Sequence, residues 1–294
     1  MSSSNYEQTV IINSIALSGV TSVNGSYGIN EKPIKVAGVG FIDALVDGPM
    51  EGTFSISRKM VSTDPLLATN VVGDYLFDNK YISGAILYNN DTKGFGFSKG
   101  RITNYTVSCS VGEVPDIKTD IRVFGDLGSG INVEPPTVEH PKIQFPNQGS
   151  ISVSVSDFVT SDAVTDFSYT RSLNLQPVYG IPKGTNADWI ANEPATYSNL
   201  DPVQTDILYP IETDISFTMI ADEYEPRQMK DKFEKASKTD VVIEIRDSAT
   251  NDMVNSFTGK NVRLIGETTN ASVEGELTIS LSYKGYEPLH NPVS

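Results

Sequence analysis

Hydrophobic and polar positions alternate with period two over much of this chain, the pattern of strands with one buried and one wet face. Ile151-Ser152-Val153-Ser154-Val155 alternates strictly. Phe54 and Ile56 fall on one face of a strand, with Thr53, Ser55 and Ser57 on the other; Ile215 and Phe217 likewise oppose Glu212, Asp214 and Ser216. Further strands are expected at 82–88 and 241–246, each running into a turn rich in Asn and Asp, Asn89-Asn90-Asp91 and Thr250-Asn251-Asp252, which suits a hairpin. Two helices are expected as well. Asp64-Pro65 opens a run containing Leu66, Leu67, Val71, Val72, Tyr75 and Leu76, with acid and proline where a helix start tolerates them. Glu225-Pro226 opens a run whose apolar stripe is Met229, Phe233 and Ala236 and whose last turn is rich in lysine.

The pattern is written twice. Pro49 to Ile56 reads PMEGTFSI and Pro210 to Phe217 reads PIETDISF; at this offset of 161, Pro49, Glu51, Ser55 and Pro65 recur as Pro210, Glu212, Ser216 and Pro226. Farther on, Ile117, Thr119, Ile121, Val123 and Gly125 fall on Leu277, Ile279, Leu281, Tyr283 and Gly285, and earlier Ser26-Tyr27 answers Ser168-Tyr169. A repeat of this length points to two copies of one domain, residues 1–128 and 150–294. The stretch 129–149 carries Pro135, Pro136, Pro141 and Pro146, which favour an extended connector. The expected fold is mainly β, two tandem β-sandwich or β-barrel domains with one short helix in each. The copies differ most where residues 41–48 join matching strands in the first and residues 183–209 do so in the second, with Trp189, Tyr197 and Tyr209 in the longer segment. Large aromatics there serve as contact anchors or cover a local core.

Charge narrows the functional classes. The 294 residues hold 22 Lys and Arg against 37 Asp and Glu, a net charge of −15, which argues against a binder that grips phosphates through basic side chains. The second copy carries most of the excess. A single cysteine, Cys109, rules out an intrachain disulfide, and His140 and His290 both lie near prolines in irregular segments, so neither a zinc site nor a Ser-His-Asp arrangement is expected. The glycine pairs Gly38-Val39-Gly40 and Gly94-Phe95-Gly96 lack the phosphate-loop pattern, and no calcium-loop spacing occurs. The expectation is no catalytic residue, no metal and no cofactor. The polar start MSSSNYEQ has no signal-peptide pattern and no apolar stretch approaches 18 residues, so synthesis in the cytoplasm without a membrane span is expected.

Taken together, a β-rich unit with one helix, a polar-faced strand pair, long loops and an acidic balance resembles the tail tube proteins of tailed bacteriophages. Gly100 to Gly125, GRITNYTVSCSVGEVPDIKTDIRVFG, is similar to that family's late strand, turn and closing strand, and Lys260 to Gly285, KNVRLIGETTNASVEGELTISLSYKG, is its counterpart in the second copy. The resemblance implies a structural virion protein whose rings stack head to tail into a tube around a DNA channel, with two fused domains per chain giving a trimeric, pseudo-hexameric ring. The partners it implies are further copies of the chain and other tail proteins such as the tape measure and the terminator, with DNA passing through the lumen without specific binding. Glu51, Thr53, Ser55 and Ser57, with Glu212, Asp214, Ser216 and Thr218, are the candidate lumen-facing residues; outer solvent is the other place they can face. Trp189, Tyr197 and Tyr209 are the candidate inter-subunit contacts. Two other readings fit the pattern. One is a tail ring or hub, a distal or baseplate component or a secretion-type tube, on the same domain; the other is a two-domain β-sandwich module that binds a host surface or glycan.

Overall fold

A computed structural model describes residues 8–33, 45–60, 64, 66, 81–88, 93–124, 127–129, 150–155, 159–161, 163–179, 202, 204–220, 238–247, 249–271 and 277–287. These residues are almost entirely strand. In chain order the strands are β1 (Thr9–Ile12), β2 (Ile15–Leu17), β3 (Val20–Pro33), β4 (Leu45–Lys59), β5 (Ile82–Tyr88), β6 (Lys93–Ser110), β7 (Asp116–Phe124), β8 (Leu127–Ser129), β9 (Ile151–Val155), β10 (Val159–Ser161), β11 (Val164–Val178), β12 (Gln204–Ile220), β13 (Thr239–Arg246), β14 (Met253–Asn270) and β15 (Thr278–Glu287). All belong to one antiparallel sheet. Both expected helices lie outside the described residues, apart from Asp64, Leu66 and Lys238.

The pairing order β2-β1-β5-β6-β7-β4-β3 recurs as β10-β9-β13-β14-β15-β12-β11. Register recurs with it. Phe54 pairs with Ile121 and Ile102 with Ile121; Ile215 pairs with Tyr283 and Leu264 with Tyr283. Even irregularities coincide: β6 slips against β7 between Ile102 and Asn104, and β14 slips against β15 between Leu264 and Gly266. Thr21 Oγ1 donates to the Ser57 carbonyl at 3.1 Å and Thr165 Oγ1 to the Thr218 carbonyl at 3.3 Å. This register corrects two alignments read from the sequence. Ile121 matches Tyr283, not Leu281, and Ser26 matches Thr170, not Ser168, each a displacement of two. A two-residue slip leaves the same side chains on the same face, so alternation could not detect it.

Two layers enclose the core. Eight strands form a continuous front sheet in the order β3-β4-β7-β6-β11-β12-β15-β14, in which β6 and β11 join the two sets. The long strands β6 and β14 serve both layers: Lys93–Gly100 and Met253–Val262 pair with β5 and β13 behind, while their later residues lie in the front sheet. Buried side chains of both sets pack as one cluster, including Phe54, Phe97, Ile121, Phe167, Ile215, Phe217 and Phe257. Phe54 meets Phe97 edge-on at 5.0 Å, and Phe257 lies 5.4 Å from Tyr169. Hydrophobic alternation thus places the apolar face of the front sheet inward and leaves its polar face out.

The segment between β11 and β12 is shorter than the sequence suggests, because β12 begins at Gln204 and Val178 pairs with Gln204. The last six residues of 183–209 are therefore strand. In the first set β3 ends at Pro33 and β4 begins at Leu45, so the matching connection is residues 34–44, earlier in the chain and slightly longer than the expected 41–48. Ser129, at the start of the proline-rich stretch, belongs to β8 and pairs with Phe95.

Candidate functional site

All eight candidate lumen residues project from the polar face of the front sheet, opposite Phe54, Ile56, Ile215 and Phe217. Around them lie side chains that alternation alone did not single out. Ser55 Oγ donates to Asp120 Oδ1 at 2.7 Å, Asn104 Nδ2 donates to Asp120 Oδ2 at 3.2 Å, and Ser172 Oγ donates to Asn104 Oδ1 at 3.2 Å. This chain of bonds runs from β4 through β7 and β6 into β11, across the join between the sets. Beside it Thr106 and Thr170 hydroxyls lie 3.1 Å apart, and Thr218 and Ser280 hydroxyls 2.9 Å apart. The face also carries cations: Lys118 lies 3.5 Å from Asp120, Arg122 pairs with Glu51, and Lys284 Nζ is 2.9 Å from Glu212 and 3.6 Å from Asp214. It is a mixed surface of hydroxyls, amides and paired charges, less acidic than Glu51, Glu212 and Asp214 suggest by themselves.

Two matched triads sit at one end of this face. Glu51 on β4 pairs across the ladder with Phe124 on β7, and Arg122 bonds Glu51 while its guanidinium lies 5.6 Å from the Phe124 ring centre. Glu212 on β12 pairs with Tyr286 on β15, and Lys284 bonds Glu212 while its ammonium lies 5.5 Å from the Tyr286 ring centre. The hydrogen bond from Lys284 to Glu212 is the main influence holding that ammonium above its usual pKa. Their surroundings differ. The first triad is covered by the β11–β12 hairpin: Arg122 donates to the Leu175 carbonyl at 2.9 Å, the Tyr179 hydroxyl donates to Glu51 at 3.0 Å, and Phe124 is fully buried with Leu173, Leu175 and Ile211. Burial, then the bond to Glu51, pushes the Tyr179 phenol well up, so it remains a donor. The second triad is open, with Tyr286 51% exposed.

Of the candidate contact residues, Trp189 and Tyr197 lie outside the described residues. Tyr209 is a β12 residue packed against the small cluster of Phe124, Leu173, Leu175 and Ile211, so within this chain it supports the hairpin that covers the first triad. His140 and His290 lie outside the described residues too. Cys109 is buried, and burial pushes its thiol up to about 12. No group of three His, Cys, Asp or Glu side chains suited to a metal ion occurs among the described residues, and none of their helices is long and apolar enough to cross a membrane.

The hydrogen-bond chain has a pH signature. Burial pushes the Asp120 carboxyl up, but bonds from Ser55 and Asn104, with Lys118 nearby, outweigh that and hold it below its usual value. A carboxyl depressed in the folded state adds stability above its unfolded pKa of about 4, and that stability is lost as pH falls through the folded value. Asp120→Asn is therefore expected to lower stability at neutral pH, where the ionised carboxyl contributes fully, and to flatten the further loss of stability below about pH 4. Thermal melts of both proteins across acid pH check this; identical acid limbs would refute it.

No protein-family model matches the chain, and no curated protein matches it.

Proposed function

We propose that the chain is the structural subunit of a bacteriophage-type tail tube, two fused copies of one tube domain that assemble as three-chain rings and stack into a hollow filament. One observation carries this reading: an eight-stranded front sheet with a continuous polar face, built twice over and ending at both sides in an edge with no strand partner among the described residues. Open edges invite pairing with another chain, and closing them around a ring removes that hazard. Three such sheets supply about 24 strands, and at about 4.8 Å per strand and about 40° of tilt the backbone ring is on the order of 50 Å across. That leaves a wet lumen, since barrels of 16 to 18 strands already hold an aqueous channel. The polar face suits that lumen. Lys118, Arg122 and Lys284 are engaged by carboxylates, so over most of the face a passing polyanion meets hydroxyls and neutralised pairs and has little to bind. Stacking of rings is a heterologous contact, which propagates as a filament.

Electron microscopy of the purified full-length chain tests the proposal. Hollow filaments built of rings are expected. Discrete rings that never stack would favour a tail ring or hub, and monomers at all concentrations would overturn self-assembly.

A further inference from the structure

Within the chain, the β6–β11 pairing and the hairpin that covers the Glu51 triad join the first set of strands to the second. The repeated register locates the surfaces that would make the same join to another molecule. β14 matches β6 with an offset of 162 (Ile102 with Leu264, Asn104 with Gly266), and β3 matches β11 with an offset of 144 (Val20 with Val164, Ser22 with Asp166). The β6–β11 pairs run from Asn104 with Ser172 to Ser110 with Asp166. Transposed, they pair Gly266 with Gly28, Thr268 with Ser26, Asn270 with Asn24 and Ala271 with Val23.

We infer that this is the contact between neighbouring subunits: the late half of β14 of one chain pairs antiparallel with β3 of a second copy. The β3–β4 hairpin of that copy then covers the Glu212, Lys284 and Tyr286 triad, as β11–β12 covers its counterpart. The second copy is the occupant because the chain already contains the join, with both partners folded. Neither edge has a strand partner among the described residues. Exposed apolar groups gather where the contact would bury them. Tyr27 on β3 is 59% exposed, and Ile265, which stands where β14 slips against β15, is 63% exposed. Tyr286 is open where its counterpart Phe124 is fully buried by the hairpin. The sides also agree: Thr268 pairs with Ser280 and Ser26 with Thr53, so the polar face would run unbroken from one chain into the next.

This interface rests on the self-assembly reading above, and its test separates the two. The Thr106 and Thr170 hydroxyls are 3.1 Å apart, so the matched positions 268 and 26 bring two Cβ atoms within disulfide reach. The variant Ser26→Cys/Thr268→Cys is oxidised and run without reductant, alongside Ser26→Cys/Asn270→Cys and each single variant. Positions 26, 268 and 270 are exposed, and unchanged melting temperatures establish that the variants fold. The matched pair is expected to cross-link in a ladder that stops at three chains, with about tenfold less in the pair displaced by two residues, whose Cβ atoms are about 7 Å apart. Tyr286→Ser is expected to raise the protein concentration needed for assembly on the order of tenfold. Hollow assemblies without cross-linking in the matched pair would overturn the register and leave the tube standing. A ladder that continues past three would overturn closure at three chains. A chain that stays monomeric would overturn both.

Discussion

Asp64→Asn is expected to destabilise the protein by about 3–5 kcal/mol, because it leaves a guanidinium buried without its counter-charge. Arg58 and Asp64 are both almost fully buried, with Nη2 and Oδ2 2.6 Å apart. Asp64 is also a hub: Oδ2 accepts from the Tyr105 hydroxyl, Oδ1 accepts from the Leu66 backbone N–H at 2.9 Å, and its own N–H donates to Asn255 Oδ1 at 3.2 Å. Burial, and then the Asp64 charge, raises the Tyr105 phenol well above its usual pKa, so it stays a neutral donor. The second set of strands shows an apolar solution at the same place, since the residue matching Arg58 is Met219, fully buried. Replacing both partners, Arg58→Met with Asp64→Asn, is therefore expected to restore most of the loss, because removing both charges spares their desolvation, the Asn oxygen still accepts from the Leu66 N–H, and its amide N–H donates to the Tyr105 oxygen instead of accepting from it. Urea titrations of the single and double variants check this. A double variant as unstable as Asp64→Asn alone would mean that the loss comes from geometry at position 64 and not from the stranded charge.

The second large effect is expected at Phe97. Its ring is fully buried against Phe54, and Phe97→Ala should cost about 3–5 kcal/mol through lost burial and the cavity left behind. The matched position is Gly259, and the residue matching Gly100 is Val262, so the two sets fill the same volume from opposite ends of a four-residue stretch. A Cβ on Gly100 would lie 2.7 Å from the Phe97 ring and 2.8 Å from Ile121. Gly100→Val alone should cost about 1–3 kcal/mol by overpacking. Combined with Phe97→Ala it should cost clearly less than the sum, with a coupling of about 1 kcal/mol or more. Strict additivity in denaturant melts would show that the two positions do not share the space.

Strand character was legible because Phe54, Ile56, Ile215 and Phe217 alternate cleanly with polar neighbours. β3 was not, since Val20 to Pro33 is rich in Ser, Asn and Gly and its apolar face is thin. The join of β6 to β11 left no local mark, because it pairs residues about 60 apart through ordinary Ser, Thr and Tyr positions. Arg58 was visible as a basic residue on the apolar face of β4, a signal that asks for a buried partner, but Asp64 was read as the start of a helix. The cations of the polar face were missed for a different reason. Arg122 and Lys284 stand next to Glu51 and Glu212 only after the closing strands fold beside β4 and β12, and sequence spacing says nothing of that neighbourhood.

The join between β6 and β11 has a consequence for how assembly responds to concentration. Because each chain carries one such join already made, its partners meet at the effective concentration of a tethered pair. Under the arrangement proposed here, a ring then forms from three molecules, not six. By mass action its yield should rise with roughly the third power of free subunit concentration, where unfused domains would show about the sixth. Fusion would thus let rings form from a dilute pool, at the cost of a softer threshold between free subunits and assembled ones.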